Sequence, residues 1–167
     1  MPIVSDINIS YQGGPNMKQP YTIILTIILM LLMTGISMAA KVPAPTDPPE
    51  GVKIISINEA NEILNQKNVY IFDLRKEFSY GKGHIPGAVS FPYKWARKDA
   101  DFKPDGDIDL SKLPVDKNTA IIFHCDGPEE WKSYYTSKAA KKAGYTNVMW
   151  LREGYSAWAN KGYAVEH

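Results

Sequence analysis

Cysteine is nearly absent from this 167-residue chain: Cys125 stands alone. An intramolecular disulfide is therefore excluded, and a conserved-looking framework of bridges cannot organise the fold. Excess charge of one sign is lacking too, with 19 basic residues against 18 acidic ones and a net charge of +1. A nucleic-acid binder of this size concentrates basic charge on one face. Here the lysines are spread out, apart from Lys138, Lys141 and Lys142 late in one helical segment, where they complement a helix C-terminus as a solvated face. No glycine-rich nucleotide loop occurs, and no His/Cys/Asp cluster has metal-ligand spacing, so no cofactor or metal is expected. Internal repeats are missing as well.

Charge is also absent between Lys18 and Lys41. The centre of that stretch, from Thr22 to Met33, is too apolar for a soluble domain that has its core elsewhere. Read from Met17, it is a secretory signal: Lys18 forms the n-region, an apolar run follows, and Ser37-Met38-Ala39 is a small-x-small cleavage site before Ala40. Read from Met1, the same run is about 20 residues long and spans a bilayer as a hydrophobic helix. Either way residues 1–40 are a signal peptide or a membrane anchor, and the globular part is expected outside the cytoplasm, in a periplasm or held at the inner membrane. Residues 41–51 carry four prolines and no apolar periodicity, which implies an extended, stiff linker. Residues 52–167, about 120 in all, suffice for one domain with one core.

Within that domain, apolar runs alternate with amphipathic ones. Strands are expected at Val52–Ile55, Val69–Leu74, Ala88–Phe91, Ala120–Cys125 and Asn147–Leu151, and helices at Ile57–Gln66, Glu129–Ala143 and Gly154–Asn160. Ser56 and Glu59 have the spacing of a capping box. Gly81 to Gly87 is turn-rich, and Asp99 to Lys117 is a polar surface excursion with one helical turn. Strands alternating with helices imply an α/β domain with a parallel sheet.

Cys125 ends the fourth strand, and Asp126-Gly127-Pro128-Glu129-Glu130-Trp131 reads as a turn opening a helix. A thiol there faces the amino end of a helix, where backbone N–H groups and the helix dipole favour a thiolate nucleophile. The competing reading is a buried cysteine that packs as a small hydrophobe. Glu129 and Glu130 suit the first turn of a helix, yet the same carboxylates repel an anionic substrate and raise the thiol pKa. His124 precedes the cysteine in the strand and so points to the opposite face. His84 is expected to hold the Gly81–Gly87 turn by hydrogen bonds. Asp73 and Arg75 fall at the carboxyl edge of the sheet, as a structural ion pair or as supports of the loop.

Three stretches together resemble the rhodanese family. Phe72-Asp73-Leu74-Arg75 with Gly83-His84-Ile85-Pro86-Gly87-Ala88 resembles its first signature, Cys125 its active-site cysteine, and Gly154-Tyr-Ser-Ala-Trp158 with Gly162-Tyr-Ala-Val its C-terminal pattern. The resemblance implies a single rhodanese-like domain, a five-stranded parallel sheet flanked by helices. More narrowly, Cys-Asp-Gly-Pro-Glu-Glu-Trp-Lys-Ser is similar to an exported subgroup with a Cys-x-Gly-Pro-x-Cys-Trp-Lys-Ser loop, with Glu130 in place of the second cysteine. The resemblance implies sulfur transfer: Cys125 takes a sulfane sulfur from a small donor, holds it as a persulfide and gives it to a thiol or other nucleophilic acceptor. The active-site loop would comprise Asp126, Gly127, Pro128, Glu129, Glu130, Trp131, Lys132 and Ser133, with Arg75 at the substrate and Asp73 in support. The related cysteine phosphatases need an arginine six positions after the nucleophile, where this chain has Trp131. A reading from another class is a catalytically weak binding module that presents this surface to an envelope protein partner.

Overall fold

The computed structural model describes residues 43–66, 68–93 and 109–167. The hydrophobic segment at 1–40 and most of the polar excursion lie outside the described residues. Among the described residues no helix is long and apolar enough to cross a membrane.

Five strands form one sheet: β1 (Lys53–Ile54), β2 (Val69–Asp73), β3 (Val89–Ser90), β4 (Ala120–His124) and β5 (Val148–Leu151), in the order β1-β5-β4-β2-β3. Every pairing is parallel, with Phe72 opposite Phe123 and Phe123 opposite Trp150. β4 is central and apolar on both faces, as an inner strand of a parallel sheet must be. Ile121 and Phe123 join Phe72, Leu113, Ala140, Tyr145 and Trp150 on one side. Ile122 joins Ile57, Ala60, Ile71, Met149 and Trp158 on the other.

Four helices cover these faces: α1 (Ile57–Leu64), α2 (Glu77–Gly81), α3 (Trp131–Lys142) and α4 (Gly154–Asn160). α1 begins as expected. Ser56 Oγ accepts from the Glu59 N–H at 3.2 Å, and the Ser56 N–H donates to Glu59 Oε2 at 2.9 Å. Such a box is worth about 1 kcal/mol. The polar excursion carries a 3₁₀ turn at Leu110–Lys112.

Two elements differ from expectation. α2 is a helix in a stretch where no element was expected. α3 starts at Trp131 and not at Glu129, because Gly127 O accepts from the Glu130 N–H at 3.2 Å. Pro128 sits at the second position of that turn, where its fixed φ fits. Glu129 and Glu130 are therefore loop residues, and Glu130 keeps an extended backbone (φ −100°, ψ 120°).

The described part of the proline segment, 43–51, is irregular and lies along the domain: Pro45 and Pro49 are buried, and Arg152 Nε donates to Pro45 O at 2.8 Å. His84 has the structural place expected for it. Its ring stacks on Tyr80 at 3.8 Å, and its backbone exchanges two hydrogen bonds with Glu166.

Candidate active site

Cys125 follows the last residue of β4 and is 2% exposed. Its side chain belongs to the cluster on the α3 side, and His124 turns the other way, as the strand alternation requires. The cysteine's carbonyl is fixed twice, by the Tyr155 N–H at 2.9 Å and by His124 Nδ1 at 3.0 Å. A carbonyl only accepts, so Nδ1 carries the proton. Burial holds the His124 pKa below its ordinary value, against the pull of Asp73, and the ring is neutral. The next carbonyl, Asp126 O, accepts from the Ser156 N–H at 2.9 Å. The loop after the cysteine is thus pinned to the amino end of α4. Gly154 permits that approach, since a Cβ there would lie 2.5 Å from Cys125 O.

A cavity of about 280 Å³ opens at the thiol, outside the carboxyl ends of β2 and β4. It is lined by Arg75, Lys76, Ser79, Cys125, Asp126, Glu130 and Lys132. Glu130 reaches back to Cys125: the thiol donates to Glu130 Oε2 at 3.9 Å, and Lys132 Nζ lies 3.6 Å from the same oxygen.

The state of the thiol corrects the sequence expectation. Burial pushes the Cys125 pKa up to about 12. Lys132 and the Asp126 N–H pull it down, but Glu130 and Asp73 push it further up. Desolvation outweighs whatever the helix end contributes, and the Glu130 carboxylate beside the sulfur adds to it. In this arrangement Cys125 is a thiol at neutral pH.

Asp73 and Arg75 form a buried ion pair. Arg75 Nη2 lies 2.6 Å from Asp73 Oδ2, the Arg75 N–H donates to Asp73 Oδ1 at 2.9 Å, and Nη2 also donates to Gly83 O at 2.7 Å. The guanidinium lies 3.7 Å from the centre of the Tyr155 ring. Arg75 is a cavity wall whose charge is already matched.

Of the expected loop residues, Asp126, Glu130 and Lys132 come together around Cys125. Gly127, Pro128 and Glu129 shape the loop without lining the cavity. Trp131 stacks on Tyr135 at 5.3 Å and belongs to the aromatic cluster of α3. Ser133 is buried and faces the core, where its Oγ accepts from Trp150 Nε1 at 3.0 Å. Sequence reasoning missed Lys76 and Ser79, brought to the cavity by the unexpected α2. Their one signal was position, directly after the carboxyl end of β2. Among the described residues no group of three or more His, Cys, Asp or Glu side chains suits a metal ion.

Fold and site define a parallel α/β protein with a cysteine at the carboxyl end of its central strand. The chain belongs to the rhodanese-like domain family, whose model it matches over residues 56–161. That membership supports sulfurtransferase-type function at the family level. The uncharacterized protein YibN of Escherichia coli K12 is 27% identical over 114 residues, covering 66% of this chain and 69% of that protein. Among solved structures, the BH2092 protein from Bacillus halodurans has a TM-score of 0.54 at 17% identity, covering 88% of this chain and 85% of that one. The thiosulfate sulfurtransferase from Pseudomonas aeruginosa has a TM-score of 0.51 at 24% identity, covering 70% of this chain and 20% of that one. At these identities the structural likeness is one of fold.

Proposed function

We propose that the domain is a sulfurtransferase that carries sulfane sulfur as a persulfide on Cys125, and that it works outside the cytoplasm, exported or anchored through residues 1–40. The observation that carries the catalytic part is the cysteine at the end of β4, in a cavity with the Asp126 N–H directed at its sulfur. The thiol first gives up its proton. The thiolate then attacks the outer sulfur of a donor R–S–SH, a Cys–S–S bond forms, the donor's S–S bond breaks, and R–S⁻ leaves and takes a proton to become R–SH. An acceptor thiolate next attacks the outer sulfur of the persulfide and releases Cys125 as thiolate. Sulfur changes hands with no external oxidant or reductant. The Asp126 N–H and Lys132 are the groups that favour negative charge on sulfur in both halves.

A second reading is favoured by the raised thiol pKa: a catalytically weak module that presents the loop surface to an envelope partner protein. Mass spectrometry of the folded domain after exposure to several sulfane donors separates the two. Sulfur transfer predicts a gain of about 32 Da in the wild type and none in Cys125→Ser. Equal labelling of the mutant, or no labelling of the wild type by any donor, sinks the persulfide assignment.

A further inference from the structure

The side chain of Glu130 has an orientation that helix capping does not explain. It occupies the N-cap position of α3, yet it makes no capping hydrogen bond. It turns into the cavity instead, with Oε2 3.9 Å from Cys125 Sγ and 3.6 Å from Lys132 Nζ. Lys132 is drawn in with it, its side chain only 16% exposed. Asp126 from the loop also lines the cavity. Arg75, behind β2, is neutralised by Asp73, and Lys76 stands exposed at the rim. Lys132 is the cation beside the nucleophile, and Glu130 already covers it.

We propose that Glu130 is a specificity-determining residue: held by Lys132 beside the thiol, its carboxylate fills the place that a donor's oxyanion would take. The proposal rests on the sulfurtransferase reading for its biological meaning. The site then selects sulfane donors whose reacting end carries no oxyanion, such as alkyl hydropersulfides, and turns away thiosulfate-like dianions. A dianion must displace Glu130 from Lys132 and still meet its charge a few ångströms from the sulfur.

Alkylation of Cys125 tests the charge filter without needing turnover. Iodoacetate and iodoacetamide have similar size and differ in charge, so the ratio of their rate constants reads the field at the sulfur. Glu130→Gln should raise the iodoacetate-to-iodoacetamide ratio by about tenfold at low ionic strength, and less at high salt. Glu130→Gln with Lys132→Gln should bring the ratio back towards the wild type, because the uncovered lysine is what receives the anion. Thiosulfate-dependent persulfide formation should follow the same order across the three proteins. An unchanged ratio in Glu130→Gln overturns the proposal. An equal rise in both variants overturns it too, since it would show charge repulsion with no anion seat on Lys132. If the ratio moves as stated but no donor labels Cys125, the filter stands and the sulfurtransferase reading falls. If donors label Cys125 while the ratio stays fixed, the reverse holds.

Discussion

Cys125 shows how burial can outweigh a favourable position in the chain. The thiol lies at the end of a strand facing a helix, and its pKa is nevertheless pushed up to about 12 from an ordinary 9.0, first by desolvation. Two measurable consequences follow from that direction. Alkylation by neutral iodoacetamide should rise about tenfold per pH unit from pH 7 to beyond pH 10, whereas an exposed thiol levels off near its own pKa. A plateau below pH 9 would show that the loop opens readily and leaves the sulfur in water. Stability carries the same signature. Below about pH 9 the native and unfolded chains both hold the proton, and the contribution of the thiol is fully present. As pH rises from about 9 to 12 the unfolded chain loses that proton and the native one keeps it, so stability falls. Denaturation of wild type against Cys125→Ser over this range isolates the effect from the tyrosines and lysines, which titrate in both.

At the level of elements, the amino end of α4 positions Cys125 as much as β4 does. Gly154 has φ +67°, and a Cβ there would sit 2.5 Å from Cys125 O and 2.7 Å from the carbonyl carbon and oxygen of Asp126. All three contacts are backbone atoms and cannot swing aside. Gly154→Ala should cost about 3 kcal/mol from strain alone and displace the loop. Urea denaturation should show the loss, and the alkylation rate of Cys125 should rise as its carbonyl leaves the Tyr155 N–H. Gly81→Ala is the control: a Cβ there meets nothing within 4 Å, and stability should hold or improve slightly. The Gly154 turn was legible in the sequence as a helix start, as was β4 through its unbroken apolar run and α1 through Ser56 and Glu59. α2 was not. It spans five residues with none buried, and Phe78 is 74% exposed, so it has no apolar stripe to read. Tertiary contacts hold it, including the Tyr80 hydroxyl donating to Ala88 O at 2.7 Å. The onset of α3 was misplaced because two glutamates mimic a first turn, while Pro128 makes a loop turn ahead of them. Lys76 and Ser79 were illegible as site residues for the same reason as α2. The protonation state of Cys125 was illegible because desolvation belongs to the packed molecule.

For the molecule as a whole, the proposal of export makes its own predictions. The domain has a balanced charge, a single cysteine that cannot close an internal disulfide, and a thiol shielded by burial. Such a thiol tolerates an oxidising environment better than an exposed thiolate, because oxidation and disulfide exchange both start from thiolate that solvent can reach. Ahead of the domain the run from Tyr21 to Ala40 has no charged residue. Fractionation with N-terminal sequencing should recover the domain either beginning near Ala40 or bound to the membrane. A cleaved form should fold unaided, because the chain from Val42 to His167 is a compact unit by itself. Release by high salt or carbonate would separate a peripheral association from an integral anchor. Recovery of the uncleaved chain as a soluble cytoplasmic protein would end the proposal of export, while leaving the chemistry at Cys125 to be judged by its own experiment.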